Sequence, residues 1–203
     1  LRRLPLEDDT ARALRQEHAA QFVGFADGCT TGSGIGIYSP GLFWGSTSMH
    51  HITTFVNNTG SVTPLDINFI EFTAAVILTA VLLSHIRATD IVCDHIHLWT
   101  DNTACRSWMT KHRAAHPLHL FLLQVFSHLQ LITGILVTIG HLPGKVNIYA
   151  DATSRSFLVP NGPEQVSCAP ALLAAMATIS ALGFEHISET APEALTVSVK
   201  LLS

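Results

Sequence analysis

An apolar run that ends on a carboxylate constrains this chain more than any other feature. Gln21-Phe22-Val23-Gly24-Phe25-Ala26 reads as a buried strand, Asp27 closes it, and Gly28-Cys29-Thr30-Thr31-Gly32-Ser33-Gly34 follows before a second strand, Ile35-Gly36-Ile37-Tyr38. Glycine tolerates positive φ and lets another backbone come close, so the pair is a hairpin with an open, ligand-accessible corner. A charged group at the end of an apolar strand is costly unless something pairs it. Asp27 therefore calls for a cation, and for other residues that share it.

The rest of the chain supplies strands and helices in alternation. A third strand is expected over 42–49, after the turn Ser39-Pro40-Gly41, and a polar stretch over 50–64 with Asn57-Asn58-Thr59-Gly60 at its tip. Residues 68–87 form a long helix in which Phe69, Phe72, Val76 and Leu83 cover most of the circumference, which predicts deep packing. Glu71 is expected in its first turn and is the only acid between positions 68 and 87. An acid there is ordinarily a complement to the helix dipole. In a helix that is apolar all round it asks for a further reason.

A strand over 94–100 places His95, His97 and Trp99 on one face and Ile96 and Leu98 on the other. It stops at Asp101, where Asn102 or Thr103 caps a helix over 104–113. A second apolar helix over 117–133, a strand over 135–141, a tight loop Leu142-Pro143-Gly144-Lys145 and a short helix over 149–157 complete the pattern. Such alternation predicts an α/β sheet of mixed direction, an antiparallel meander followed by parallel strands added through crossovers. Sites in such sheets form at the carboxyl ends of strands, where Asp27 and Asp101 stand.

The outer segments carry less. Residues 1–20 hold a cluster of charge, and Glu7-Asp8-Asp9-Thr10 suits the start of a short helix over 11–20. A linker from a preceding domain and a frayed end are equal readings of it. Arg12-Ala13-Leu14-Arg15 matches a four-residue targeting motif that chance produces easily. After Asn161-Gly162-Pro163 the sequence suggests an Ala-rich helix over 169–182 and a strand over 194–201, with no evident chemistry. The division expected is a linker over 1–20, one domain over 21–158, and an extension over 159–203.

Composition narrows the setting. The chain of 203 residues is 48% hydrophobic and 13% charged, with a mean hydropathy of +0.36. That suits a module which covers apolar surface against a neighbour. The strongest apolar runs, 73–83 and 169–182, are too short for a bilayer, so no membrane span is expected. There is no initiator Met and no secretory pattern, and the chain reads as a segment of something longer. Four scattered cysteines without a Cys-x-x-Cys pair point to a reducing, intracellular compartment, cytoplasm or nucleus. A net charge of −4 is unusual for a nucleic-acid binder, although two divalent cations would neutralise it. Tight binding to nucleic acid by this segment alone is not expected.

Four carboxylates stand out by position: Asp27, Glu71, Asp101 and Asp151. Converging carboxylates stay ionised together only around hard cations. Mg²⁺ takes oxygen ligands and keeps several waters, and two such ions make a clamp for in-line displacement at phosphorus. On spacing alone, four acids at unrelated strand and helix ends is the competing reading. His112, His116 and His119 suggest a zinc site by spacing, but Pro117 interrupts them and a solvated face is the expectation. Trp44, Trp99 and Trp108 read as core or rim aromatics rather than base-stacking platforms.

Four blocks in order carry a family resemblance. Phe25-Ala26-Asp27-Gly28 with its glycine-rich turn, Asn68-x-x-Glu71, Trp99-Thr100-Asp101-Asn102, and the run from His141 through Asp151 to Ser154-Arg155 resemble the ribonuclease H domain of reverse transcriptases. The likeness is to those of LTR and tyrosine-recombinase retrotransposons and of pararetroviruses, and it covers residues 21–157. The spacing His-x5-Asn-x3-Asp followed by Ser-Arg is its most specific part.

The resemblance implies a ribonuclease H-like fold, a five-stranded mixed sheet flanked by helices. It implies hydrolysis of the RNA strand of an RNA–DNA hybrid to 5′-phosphate ends with two Mg²⁺ ions, for which Mn²⁺ substitutes. Asp27 would bridge both ions, with Glu71 and Asp101 on one and Asp151 on the other, and His141 would assist proton movement or product release. Gly28, Asn68, Asn102, Arg106, Lys145, Asn147 and Arg155 are the implied substrate contacts, and a linked or associated reverse transcriptase domain is the implied partner. The sequence departs from cellular members at Ala104, where many carry an aromatic residue. It departs again at Lys111-His112-Arg113-Ala114-Ala115-His116, which stands in place of a long basic handle.

Two other classes share the fold. The first is a proofreading-type exonuclease or transposase; such exonucleases usually carry Asp-x-Glu on the first strand, and here Cys29 stands where that Glu would be. A domesticated, non-catalytic binding domain is the remaining alternative, against which the intact set of acids and the histidine argue.

Overall fold

The computed structural model describes residues 19–30, 34–47, 66–155 and 164–167. Three strands open it: β1 (Phe22–Gly28), β2 (Ile35–Ser39) and β3 (Phe43–Thr47). β2 runs antiparallel to both neighbours, and its register on β1 sets Asp27 opposite Gly36 and Phe25 opposite Tyr38. The β2–β3 turn is completed by Gly41 at φ +73°, a left-handed position where a side chain would be strained. The chain then continues as α1 (Ile67–Thr89), β4 (His95–Thr100), α2 (Thr103–Lys111), α3 (Pro117–Thr133), β5 (Leu136–His141), α4 (Ile148–Ser154) and β6 (Glu164–Ser167).

β4 lies parallel beside β1, and β5 parallel beside β4. β1 to β5 thus form the mixed sheet flanked by helices that the sequence predicts, a ribonuclease H-like α/β fold. A sixth strand, not foreseen, extends it: β6 pairs parallel with the outer side of β3, giving the order β5-β4-β1-β2-β3-β6. It comes from residues the sequence reading left in the extension, a four-residue stretch too short and too polar to show a strand pattern. The expected elements over 11–18, 169–182 and 194–201, and the polar stretch over 50–64, lie outside the described residues.

α1 is the centre of the core. Asp66 caps it, its carboxylate accepting from the Phe69 N–H at 2.6 Å, and the helix ends at Asp90 in the left-handed region. Phe69, Ile70, Phe72, Val76, Ile77, Leu78 and Leu82 are all within 2% of complete burial, held between β1 and β2 on one side and α3 on the other. Each such side chain contributes about 1.5–3 kcal/mol by leaving water. At 23 residues, α1 has the length and composition to cross a bilayer, although its strongest apolar run alone does not; 83% of its most apolar window is buried inside the domain. Because Asp66 rather than a later residue opens the helix, Glu71 is its fifth residue and lies beyond the first turn. The dipole is weak there, so the ordinary reason for an acid near a helix start does not apply.

α2 starts from Asn102, whose side chain accepts from the Cys105 N–H at 2.8 Å, and α3 starts from His116 with Pro117 at its first position. Pro117 thus begins a helix instead of dividing one, and this places His119 inside. The solvated face expected for His119 is not found: it is 7% exposed, stacked on Trp108 at 4.1 Å between ring centroids and 3.8 Å from Asp66. On the opposite sheet face, Gly36 alternates with the core residues Ile35 and Ile37 and faces α4. A Cβ on Gly36 would lie 2.1 Å from the Ala150 carbonyl oxygen and 2.4 Å from the Ser154 nitrogen. The backbone of α4 therefore rests directly on β2.

Candidate active site

Three of the four acids singled out by position meet at one end of the sheet. One carboxylate oxygen from each of Asp27, Glu71 and Asp101 lies within 4.8 Å of the other two. β1 brings Asp27, which is 4% exposed. α1 brings Glu71, 7% exposed, and it comes this close because residue 28 is glycine: a Cβ there would sit 2.7 Å from the Glu71 backbone nitrogen. Asp101 follows the last residue of β4. A Cβ on Gly144 would fall 2.6 Å from Asp101 Oδ2, so the loop after β5 closes against that carboxylate in the same way.

Asp151 stands beside this trio rather than within it. It is half-buried on α4, and its Oδ1 accepts from both Arg155 Nε and Nη2 at 2.8 Å. Its charge still reaches Asp27, Glu71 and Asp101 and raises the proton affinity of each.

The electrostatics are those of crowded, desolvated anions. Burial, with the charges of Asp101 and Asp151 added, pushes Asp27 up to about 6 against a hydrogen bond from Ser154 that pulls the other way. Burial first, and then the charges of Asp101 and Asp27, push Glu71 up to about 9. Asp101 is raised mainly by burial. Two of the carboxylate oxygens, Glu71 Oε2 and Asp101 Oδ1, are buried with no hydrogen-bond partner among the described residues. Buried acceptors of this kind are costly and rare. A hard divalent cation satisfies both at once, and the donor set here is entirely oxygen, as Mg²⁺ or Mn²⁺ prefers. The residues therefore fit such an ion.

His141, at the end of β5, is half-buried and its Nε2 lies 3.1 Å from the Asp101 backbone carbonyl oxygen. Asn68 and Asn102 meet at the rim, the Asn102 amide donating to Asn68 Oδ1 at 3.0 Å. Lys145 and Arg155 are exposed beside the acids, and Arg106 is half-buried on α2. Asn147, expected at the substrate surface, is instead 1% exposed and donates to the Ala26 carbonyl oxygen at 3.0 Å. Its side chain fixes the loop to β1 one residue before Asp27, which leaves it no surface to present. Gly28 contributes through the close approach of α1 already described.

One residue of the site carries no role in the sequence reading. Ser154 is fully buried on α4, and its hydroxyl lies 2.5 Å from Asp27 Oδ2 and 2.9 Å from the Asp151 carbonyl oxygen. The sequence shows it only as part of a Ser-Arg pair after the last acid.

No family model matches the chain, and no curated protein matches it. Among solved structures it is similar to the ribonuclease H1 of the halophilic archaeon Halobacterium salinarum NRC-1, at 20% identity over 65% of this chain and 92% of that one, with a TM-score of 0.45. The sheet order and strand directions described above are what define the chain as containing a domain of ribonuclease H-like fold.

Proposed function

We propose that the chain is a metal-dependent endoribonuclease that cuts the RNA strand of RNA–DNA hybrids, acting inside the cell as the nuclease part of a retroelement reverse transcriptase. One observation carries this reading: Asp27, Glu71 and Asp101 converge within 4.8 Å while Glu71 Oε2 and Asp101 Oδ1 are buried without a partner among the described residues. An arrangement that costs this much without a cation is explained by one that binds there.

Asp27, Glu71 and Asp101 would hold one divalent ion, and Asp151, beside that trio on α4, would hold a second together with Asp27. Bound divalent ions supply a Lewis acid and a nucleophile at neutral pH for in-line displacement at phosphorus, leaving a 5′-phosphate. The chain itself orients the substrate. The Asn68–Asn102 pair, joined by a 3.0 Å hydrogen bond, would meet a minor groove with its 2′-hydroxyls, which are what distinguish RNA from DNA. Exposed Lys145 and Arg155, with Arg106, would contact flanking phosphates. His141, anchored at the Asp101 backbone, holds or passes a proton near the scissile bond.

The test is cleavage of end-labelled RNA–DNA hybrid, double-stranded RNA and double-stranded DNA in Mg²⁺. Cutting confined to the RNA strand of the hybrid is expected, with Asp101→Asn lowering the rate by at least about a hundredfold, the scale of losing a principal electrostatic element of a site. Inactivity on all three substrates by a folded, metal-loaded protein leaves the non-catalytic binding domain as the better reading.

A further inference from the structure

The buried hydroxyl of Ser154 makes a contact that the chemistry above does not use. It sits on α4, 127 residues from Asp27, at 2.5 Å from Asp27 Oδ2. Nothing in the packing of α4 requires that contact, since the Ser154 hydroxyl also has the Asp151 carbonyl oxygen at 2.9 Å. What does bring it about is the backbone seat on β2. Gly36 is the register partner of Asp27, and its missing side chain lets the Ala150 carbonyl and the Ser154 nitrogen come down onto the strand. The Gly34 N–H then donates to the Ser154 carbonyl oxygen at 3.1 Å, which fixes the end of the helix over the hairpin.

We propose that Ser154 is a positioning residue of the metal site: its hydroxyl clamps one oxygen of Asp27, and with Gly36 as the seat this sets the plane of the carboxylate that faces Glu71 and Asp101.

A carboxylate with both oxygens unheld rotates about its last bond, because that torsion is broad. Crowded against two other acids, Asp27 would turn away from them in the absence of a cation. Holding Oδ2 from the α4 side removes that freedom, so the carboxylate keeps its orientation toward the cluster before any ion arrives. Groups that orient ligands in this way typically account for a tenfold to hundredfold difference in metal affinity. The same clamp ties the position of Asp151, three residues earlier on the same helix, to that of Asp27. The inference rests on the metal site proposed above, but not on what that site cuts.

The experiment is Mn²⁺ binding, read by electron paramagnetic resonance and calorimetry on the full chain, for the wild type and for Ser154→Ala. Loss of roughly ten- to a hundredfold in Mn²⁺ affinity is expected, with the circular dichroism spectrum close to wild type. Gly36→Ala, which lifts α4 while leaving the serine in place, is expected to weaken Mn²⁺ binding in the same direction. Wild-type affinity in a folded Ser154→Ala protein overturns the proposal, and so does a wild type that takes up no Mn²⁺. A wild type that binds Mn²⁺ and shows the Ser154 effect, yet cuts no hybrid, upholds the positioning role and removes the nuclease reading alone.

Discussion

Asp27 answers to several neighbours at once: Ser154 holds one of its oxygens, Asn147 holds the carbonyl just before it, and Glu71 and Asp101 repel it. The consequence shows in how the protein responds to pH. Burial raises Asp27 from 3.8 to about 6 and Glu71 from 4.5 to about 9, so the folded, metal-free protein binds more protons than the unfolded chain across that range. Stability from these groups is therefore fully present at low pH. It is lost as pH rises, through Asp27 up to about 6 and through Glu71 up to about 9. The urea midpoint of metal-free protein is expected to fall as pH rises through this window, with Mg²⁺ restoring it most at the alkaline end. A midpoint insensitive to both pH and Mg²⁺ would count against a desolvated cluster. The acids themselves were legible in the sequence, because a carboxylate at the end of an apolar strand, or alone in an apolar helix, is conspicuous. Ser154 and Gly36 were not, because a small residue shows its role only through what it touches, and Ser154 touches a residue 127 positions away.

Among the elements, α1 depends on its start. Asp66 satisfies the Phe69 N–H and lies 3.8 Å from His119, whose ring is sandwiched against Trp108 and Phe69. Asp66→Ala removes the cap and is expected to lower the free energy of unfolding by about 1 kcal/mol, within the usual 0.5–2, as read by chemical denaturation. The sequence predicts this helix from its apolar periodicity but starts it later, at 68, because Asp66, Asn68 and the preceding polar residues are all plausible caps. That small shift matters, since it moves Glu71 out of the first turn. β4, β5 and α3 follow their sequence patterns to within a residue or so, since strong periodicity, Pro117 at a helix start and Gly134 at its end mark their limits. His119 was missed for the opposite reason: a histidine on an apolar helix gives no sign of which side it faces until its partners Trp108 and Asp66 are in place.

At the scale of the whole molecule, charge and strand direction decide what the domain does alone. A net charge of −4 leaves Arg106, Lys111, Arg113, Lys145 and Arg155 as the candidate phosphate contacts among the described residues, and Arg155 is already paired with Asp151. Hybrid affinity is therefore expected to be weak and to fall with salt on a log–log slope no steeper than about −4 to −5. Fluorescence anisotropy across salt concentrations measures it, and a slope near −10 would require basic surface beyond these five. The mixed sheet was legible from the alternation of elements; β6 was not, because so short and polar a strand is defined by the β3 edge it joins. Five of the six strands among the described residues run the same way, which gathers the acids at one pole. The chain enters the sheet at the other: Gln21 bonds to Val92, Asp94 and His95 at the foot of β4, a six-residue strand of about 20 Å away from Asp101 at its head. A dye attached at the exposed Gln21 therefore stands one strand length, roughly 20 Å, from the acids.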